Sequence, residues 1–185
     1  MTGELWTSAS LPYLTPRGTG TSDAWTEEAR RAGRRGGQRI VHAGEAAVPP
    51  EVARMLGLAE GSTAVVRRRV IELDGEPVEL TDTYYPADIA AGTALAGTAK
   101  IRGGAVTLLA SLGHVGVRVV ENVTARMPSR GEHRQLRLGP DEPVLQLART
   151  TYDSAGRPIQ ADMMAMPAAR QQLRYEIGLE DRQPS

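Results

Sequence analysis

Thr63-Ala64-Val65-Val66-Arg67-Arg68-Arg69-Val70-Ile71-Glu72-Leu73, then Asp74-Gly75, then Glu76-Pro77-Val78-Glu79-Leu80-Thr81-Asp82-Thr83-Tyr84-Tyr85, reads as a β-hairpin. β-Branched and aromatic residues fill both arms, and Asp-Gly supplies the positive φ angles a tight hairpin turn needs. The hairpin is also one of a pair. At an offset of 80, Arg69 falls on Arg149, and Leu56 and Leu58 fall on Leu136 and Leu138. At 81, Gly75 matches Gly156, Pro77 matches Pro158, Val78 matches Ile159 and Pro86-Ala87 matches Pro167-Ala168. Residues 38–88 and 117–169 are therefore two copies of one unit: strand, short helix, strand, turn, strand.

Two copies are too few for a solenoid and suit a single pseudo-two-fold domain. The predicted strands span 38–46, 63–73, 77–85, 117–126, 143–153 and 157–166. Hairpin links make the six-stranded sheet mainly antiparallel, an α+β architecture with helices expected on one face. Between the copies, Val106, Leu108, Leu109 and Leu112 have helical spacing, and Gly113 ends a helix over 105–112. Residues 1–37 lack sustained periodicity and read as a linker-like segment, with one helix over Ala24–Ala32 capped by Ser22 or Asp23 and stopped by Gly33. Residues 38–178 form the domain and 179–185 a tail.

Composition removes several classes of function. The chain has 185 residues, 22 Lys and Arg against 22 Asp and Glu, and no cysteine. Zero net charge argues against a domain whose main task is to hold a polyanion. Without cysteine there is no thiolate metal site and no thiol catalysis. His42, His114 and His133 lie in separate segments without ligand-like spacing, so no metal or cofactor is expected. No apolar run reaches the ~20 residues of a membrane span, and no signal pattern opens the chain, so a cytoplasmic protein is expected. Arg30, Arg31, Arg34, Arg35 and Arg39 form the one basic cluster without an interleaved acid. No aromatic stacking platform accompanies it, which suits a solvated helix end better than a nucleic-acid contact.

Two features stand out. Alternation puts Arg67 and Arg69 on one face of a strand and Arg68 on the other. At least one guanidinium must then be buried, and a buried arginine needs a carboxylate, phosphate or carbonyl partner. A salt bridge to Glu72, Glu79 or Asp82 is one reading, and an anionic ligand the other. A two- or four-residue turn would place Arg67 and Arg69 with Leu80 and Asp82. An odd turn or a bulge would place them with Glu79 and Thr81. The next strand presents Glu79, Thr81, Thr83 and Tyr85 on one face, matched in the second copy by Gln160, Asp162, Met164 and Met166. The second feature is Arg102-Gly103-Gly104-Ala105 ahead of the presumed helix. There, bare backbone N–H groups let an anion approach, unless the glycines are only a hinge.

The ordered segments from Pro49-Pro50-Glu51-Val52 through Gly61, then Val65–Arg69, Asp74–Val78, Tyr84-Tyr85-Pro86 and Glu121-Asn122-Val123-Thr124-Ala125-Arg126, resemble the UTRA domain. This is the effector-binding half of HutC-branch GntR transcription regulators. The resemblance covers roughly 38–178, and residues 1–37 resemble the connector before that domain. It implies a chorismate-lyase-like fold, a homodimer and a pocket for a small metabolite that alters DNA binding elsewhere in the chain. It implies effector contacts from Arg67, Arg69 and Glu79 and from the helix start at Gly103-Gly104-Ala105. Gly104 stands where the family usually has Ser, and Gln160 where it often has Glu. The expected ligand-binding set is Arg67, Arg69, Glu79, Thr81, Arg102, Gly103, Gly104, Ala105, Glu121, Arg149, Gln160 and Asp162. The winged helix-turn-helix the family places before the connector is not in the sequence, so a stand-alone or truncated sensing domain is expected, with no direct DNA binding, no membrane and no catalysis. It would bind an acidic, sugar-phosphate-like or carboxylate effector, as a homodimer or paired with a full-length regulator. A chorismate-lyase-like enzyme and a ligand-free dimerisation partner are the alternatives.

Overall fold

A computed structural model describes residues 5–8, 13–16 and 24–176. Both proposed caps of the first helix, Ser22 and Asp23, and the tail at 179–185 lie outside them. Six strands make one sheet: β2 (Gly36–Ala47), β3 (Thr63–Leu73), β4 (Glu76–Pro86), β5 (Arg118–Arg126), β6 (Val144–Tyr152) and β7 (Pro158–Pro167). Their order is β2-β3-β4-β7-β6-β5, and every neighbouring pair is antiparallel. The two hairpins, β3-β4 and β6-β7, meet at the centre, where β4 pairs with β7, so the repeat is also a spatial pseudo-two-fold. A separate parallel pair joins β1 (Trp6–Ser8) to β8 (Gln171–Leu173). It ties the start of the chain to the end of the domain and was not foreseen in the linker-like segment.

The hairpin register depends on one residue. Asp74 and Gly75 both have positive φ, 54° and 87°, the conformation of a two-residue turn. That turn alone would set Arg67 and Arg69 beside Leu80 and Asp82. Leu73 does pair with Glu76 and Glu72 with Pro77, but Ile71 then pairs with Glu79. Val78 is an extra, buried residue, and this bulge turns Glu79, Thr81 and Thr83 to the face of Arg67 and Arg69. The second hairpin repeats the device: Tyr152 pairs with Pro158 and Thr151 with Gln160, leaving Ile159 as the bulge.

Helices, expected on one face, cover both. Val65 and Val66 are each fully buried though they point opposite ways along β3, so each face needs its own cover. On the Val66 side lie α2 (Pro50–Leu56) and α5 (Arg130–Gln135). Val52, Ala53 and Leu56 of α2 pack on Ala64, Val66, Tyr84 and Ala161, and Leu136, just after α5, packs with Val144 and Leu80. On the Val65 side, α3 (Ala87–Ala90), a 3-10 turn at Ala94–Ala96 and α4 (Gly104–Ser111) pack through Ile89, Leu95 and Leu109 on Tyr85 and Ile159. The same side carries α1 (Ala24–Arg31), whose Trp25 and Ala29 cover Ile71, Leu73 and Val78. Gly33, φ 71°, ends α1 as expected. α4 begins one residue earlier than the spacing suggested.

Candidate functional site

Between the covers on the Val65 side, the sheet floors a cavity of about 520 Å³. Its walls include Arg67, Arg69, Glu79, Thr81, Arg149, Gln160 and Asp162 from the sheet and Gly103, Gly104 and Ala105 from the start of α4. Ten of the twelve expected residues thus meet in one place. Glu121 reaches the floor indirectly, as the ion-pair partner of Arg149 at 2.6 Å, both side chains nearly enclosed. Arg102 is exposed and lies outside the cavity walls.

The three strand arginines have different fates. Arg68, on the other face, pairs with Asp82 at 3.2 Å, half in solvent. Arg67, buried in the cavity wall, pairs with backbone carbonyls and with no carboxylate among the described residues. Its Nη1 donates to the carbonyls of Ala94 and Leu95, both at 3.1 Å, and of Gly97, and its Nη2 donates to that of Ala99 at 3.2 Å. Burial holds its pKa below the ordinary arginine value. Charge-assisted bonds to four carbonyls make Arg67 the clasp that holds residues 94–99, the segment that brings Thr98 to the cavity's end wall. Arg69 is the open one. Its Nη2 donates to Thr83 Oγ1 at 2.9 Å, while its Nε is shielded from solvent and has no partner. An unpaired guanidinium N–H in such a place is costly unless something arrives to accept from it.

Around it runs a hydrogen-bonded floor. Thr83 Oγ1 donates to Asp162 Oδ1 at 2.7 Å, and Gln160 Nε2 donates to Asp162 Oδ2 at 2.8 Å. Thr81 donates to Glu79. Burial pushes the Glu79 carboxyl up from its ordinary value, against the opposing pull of the Thr81 hydroxyl, Arg69 and Arg149. Burial also raises the Tyr85 phenol well above its ordinary value, so it stays protonated. At the other wall, Gly103 has φ 76° and Gly104 φ 86°. A side chain on Gly103 would crowd Thr107 at 3.2 Å, whereas Gly104 faces open space. The start of α4 forms part of the wall; the Gly104 N–H donates to the Ile101 carbonyl at 3.1 Å, and the next first-turn N–H groups have no acceptor within the helix.

The sequence reading missed one part of the wall. Tyr13, Thr15, Trp25 and Thr26, from the linker-like segment, line the cavity beside Ile40 and Ile71. Trp25 Nε1 donates to the Glu72 carbonyl at 3.0 Å, and Tyr13 donates to Glu28. The available signal was compositional: three of the chain's seven tryptophans and tyrosines, Trp6, Tyr13 and Trp25, fall in its first 25 residues. Among the described residues no group of three or more metal-binding side chains occurs, and no helix is long and apolar enough to cross a membrane. The basic cluster is largely neutralised, with Arg30 and Arg31 on Glu27, Arg34 on Asp74 at 2.6 Å and Arg39 near Glu72.

Comparison with known proteins agrees with this architecture. The chain is 30% identical over 134 residues to an uncharacterized HTH-type transcriptional regulator of Streptomyces coelicolor, and it spans about half (49%) of that protein's length. Its fold is similar to the effector domain of PhnF from Mycobacterium smegmatis, with a TM-score of 0.71 at 23% identity over 89% of this chain and 99% of that one. It is also similar to the C-terminal domain of the histidine utilization repressor from Pseudomonas syringae, with a TM-score of 0.61 at 22% identity over 78% of this chain and all of that one. The family model of the UTRA domain matches residues 31–172, and the chain belongs to that family.

Proposed function

We propose that this chain is the small-molecule-sensing part of a GntR-type transcription regulator and that its effector carries an acidic group, a carboxylate or phosphate. The observation that carries this reading is the Arg69 Nε, enclosed and unpartnered in the wall of a 520 Å³ cavity. The acid is held by Arg69 with help from the N–H groups at the start of α4, and its polar substituents face Thr81, Gln160 and Asp162. Arg67 holds the end wall, and Arg149 and Glu121 brace the floor. The domain works in the cytoplasm as a homodimer, or paired with a full-length regulator, and it binds no operator itself.

A thermal-shift screen with phosphorylated sugars and small carboxylates tests the reading. A ligand present at ~100 times its Kd should raise stability by ~2.7 kcal/mol. Arg69→Ala should abolish that shift while the unliganded protein keeps its fold, since only the Thr83 bond is lost. Shifts that persist in Arg69→Ala would remove the anion-holding role.

A further inference from the structure

The two ends of the cavity differ in chemistry. Opposed residues form rows across the sheet, and successive rows on one face are two residues, about 7 Å, apart. One row carries Arg149, Asp162, Thr83 and Arg67. The next carries Leu147, Met164, Thr81 and Arg69, and beyond it Leu145 faces Met166 while Glu79 faces Ile71. Within about 13 Å the floor thus changes from ions and hydroxyls to thioethers and aliphatic carbon. There Leu147, Met164 and Met166 cluster with Leu173, and Ile71 packs with Trp25, Trp6 and Tyr13. The Arg69 guanidinium leans away from this end, toward Thr83 in the first row. Of the two acids that line the cavity among the described residues, Glu79 is the one at the apolar end, its carboxyl turned to Thr81, while Glu28 behind the wall accepts from Tyr13.

We infer that this far end is a subsite for the apolar tail of an acid whose head is held at Arg69, with Tyr13 and Trp25 as its roof. The inference rests on the acid-binding reading above and adds the ligand class: an amphipathic acid with an aliphatic chain or ring. It also gives the segment ahead of the sheet a direct contact with the ligand. A tail displaces or orders Tyr13 and Trp25, which are tied through Trp6 to the β1-β8 pair.

Both tryptophans of the chain lie at this end, their rings 5.2 Å apart edge to face, so tryptophan emission reports on the tail end. The experiment titrates the full chain with inorganic phosphate, acetate, butyrate, hexanoate and octanoate, following thermal shift and tryptophan emission together. Affinity should tighten about fourfold per methylene until the end is filled, the gain expected for burying each CH₂. Emission should change with the longer acids and not with phosphate or acetate. Equal affinity across the series with unchanged emission would overturn the tail subsite and leave the acid-binding reading standing. No response to any acid would overturn both, and 1-octanol binding as tightly as octanoate would remove the acid head. Tyr13→Ala should lose most of the chain-length gain while phosphate binding stays as it was. An unchanged octanoate affinity in that variant would overturn the roof.

Discussion

Arg69 and Arg149 occupy equivalent places in the two halves of the sheet, yet one is open and the other closed. On β5, Glu121 lies opposite Arg149, and on β7 Asp162 flanks it from the other side. The matching neighbours of Arg69 are Ile40 on β2 and Thr81 on β4. Two carboxylates in one half are thus an aliphatic side chain and a hydroxyl in the other. The two halves set two cations facing one cavity, and a few neighbouring residues decide which is closed in an ion pair and which keeps an N–H without a partner. The helices behind the sheet differ in the same way. α2 starts at Pro49-Pro50 without a side-chain cap, whereas α5 has a capping box between Ser129 and Glu132.

Breaking the closed half should have the largest effect. Glu121→Ala leaves the Arg149 guanidinium enclosed without its 2.6 Å partner, and urea unfolding should show a loss of about 3 kcal/mol. Replacing Arg149 and Glu121 together by Met and Leu should recover most of that loss, because the penalty belongs to an enclosed charge that has lost its close ion-pair partner.

The capping asymmetry is worth less. Arg126 holds Glu132 with two bonds of 2.6 and 2.8 Å, and with the Ser129 contacts this pulls the carboxyl down to about 2 from an ordinary 4.5. A lowered carboxylate pKa contributes stability that is complete above pH 4.5 and is lost as pH falls toward 2. Glu132→Ala should therefore cost about 1–2 kcal/mol at neutral pH, allowing for the half-exposed Arg126, and should flatten the acid limb of the unfolding curve.

The smallest effect comes from Glu79 and its counterpart Gln160. Burial raises the Glu79 pKa, so the fold binds its proton more tightly than the unfolded chain does. Stability from this group falls as pH rises from 4.5 through the raised value. Glu79→Gln, which copies the other half, should remove that slope and leave the protein slightly more stable near neutral pH. A variant whose pH profile matches the parent would show that Glu79 is charged in the fold.

Much of this was legible in the residues. The repeat, both hairpins, all six strands and the helix after Gly103-Gly104 follow from periodicity and turn chemistry, which are local. The register was not, because Asp74-Gly75 specifies a two-residue turn and gives no sign that Val78 bulges. The bulge depends on Val78 burying its side chain under Trp25, more than fifty residues away in sequence. Arg67 and Arg69 look alike on the strand for the same reason. What separates them is the line of carbonyls from Ala94 to Ala99, brought there by folding. The place of Tyr13 and Trp25 in the cavity wall was hidden by the lack of periodicity in their segment, since isolated aromatics have no repeat to read.

Arg69 is open because Ile40 stands where the other half has Glu121. Calorimetric titration of Ile40→Glu against an acid that stabilises the parent tests it most directly. With a carboxylate beside Arg69, acid binding should weaken by about 10- to 100-fold, the worth of a charge-assisted hydrogen bond, while the unliganded protein melts as before. Binding as tight as in the parent, with the fold intact, would contradict the claim.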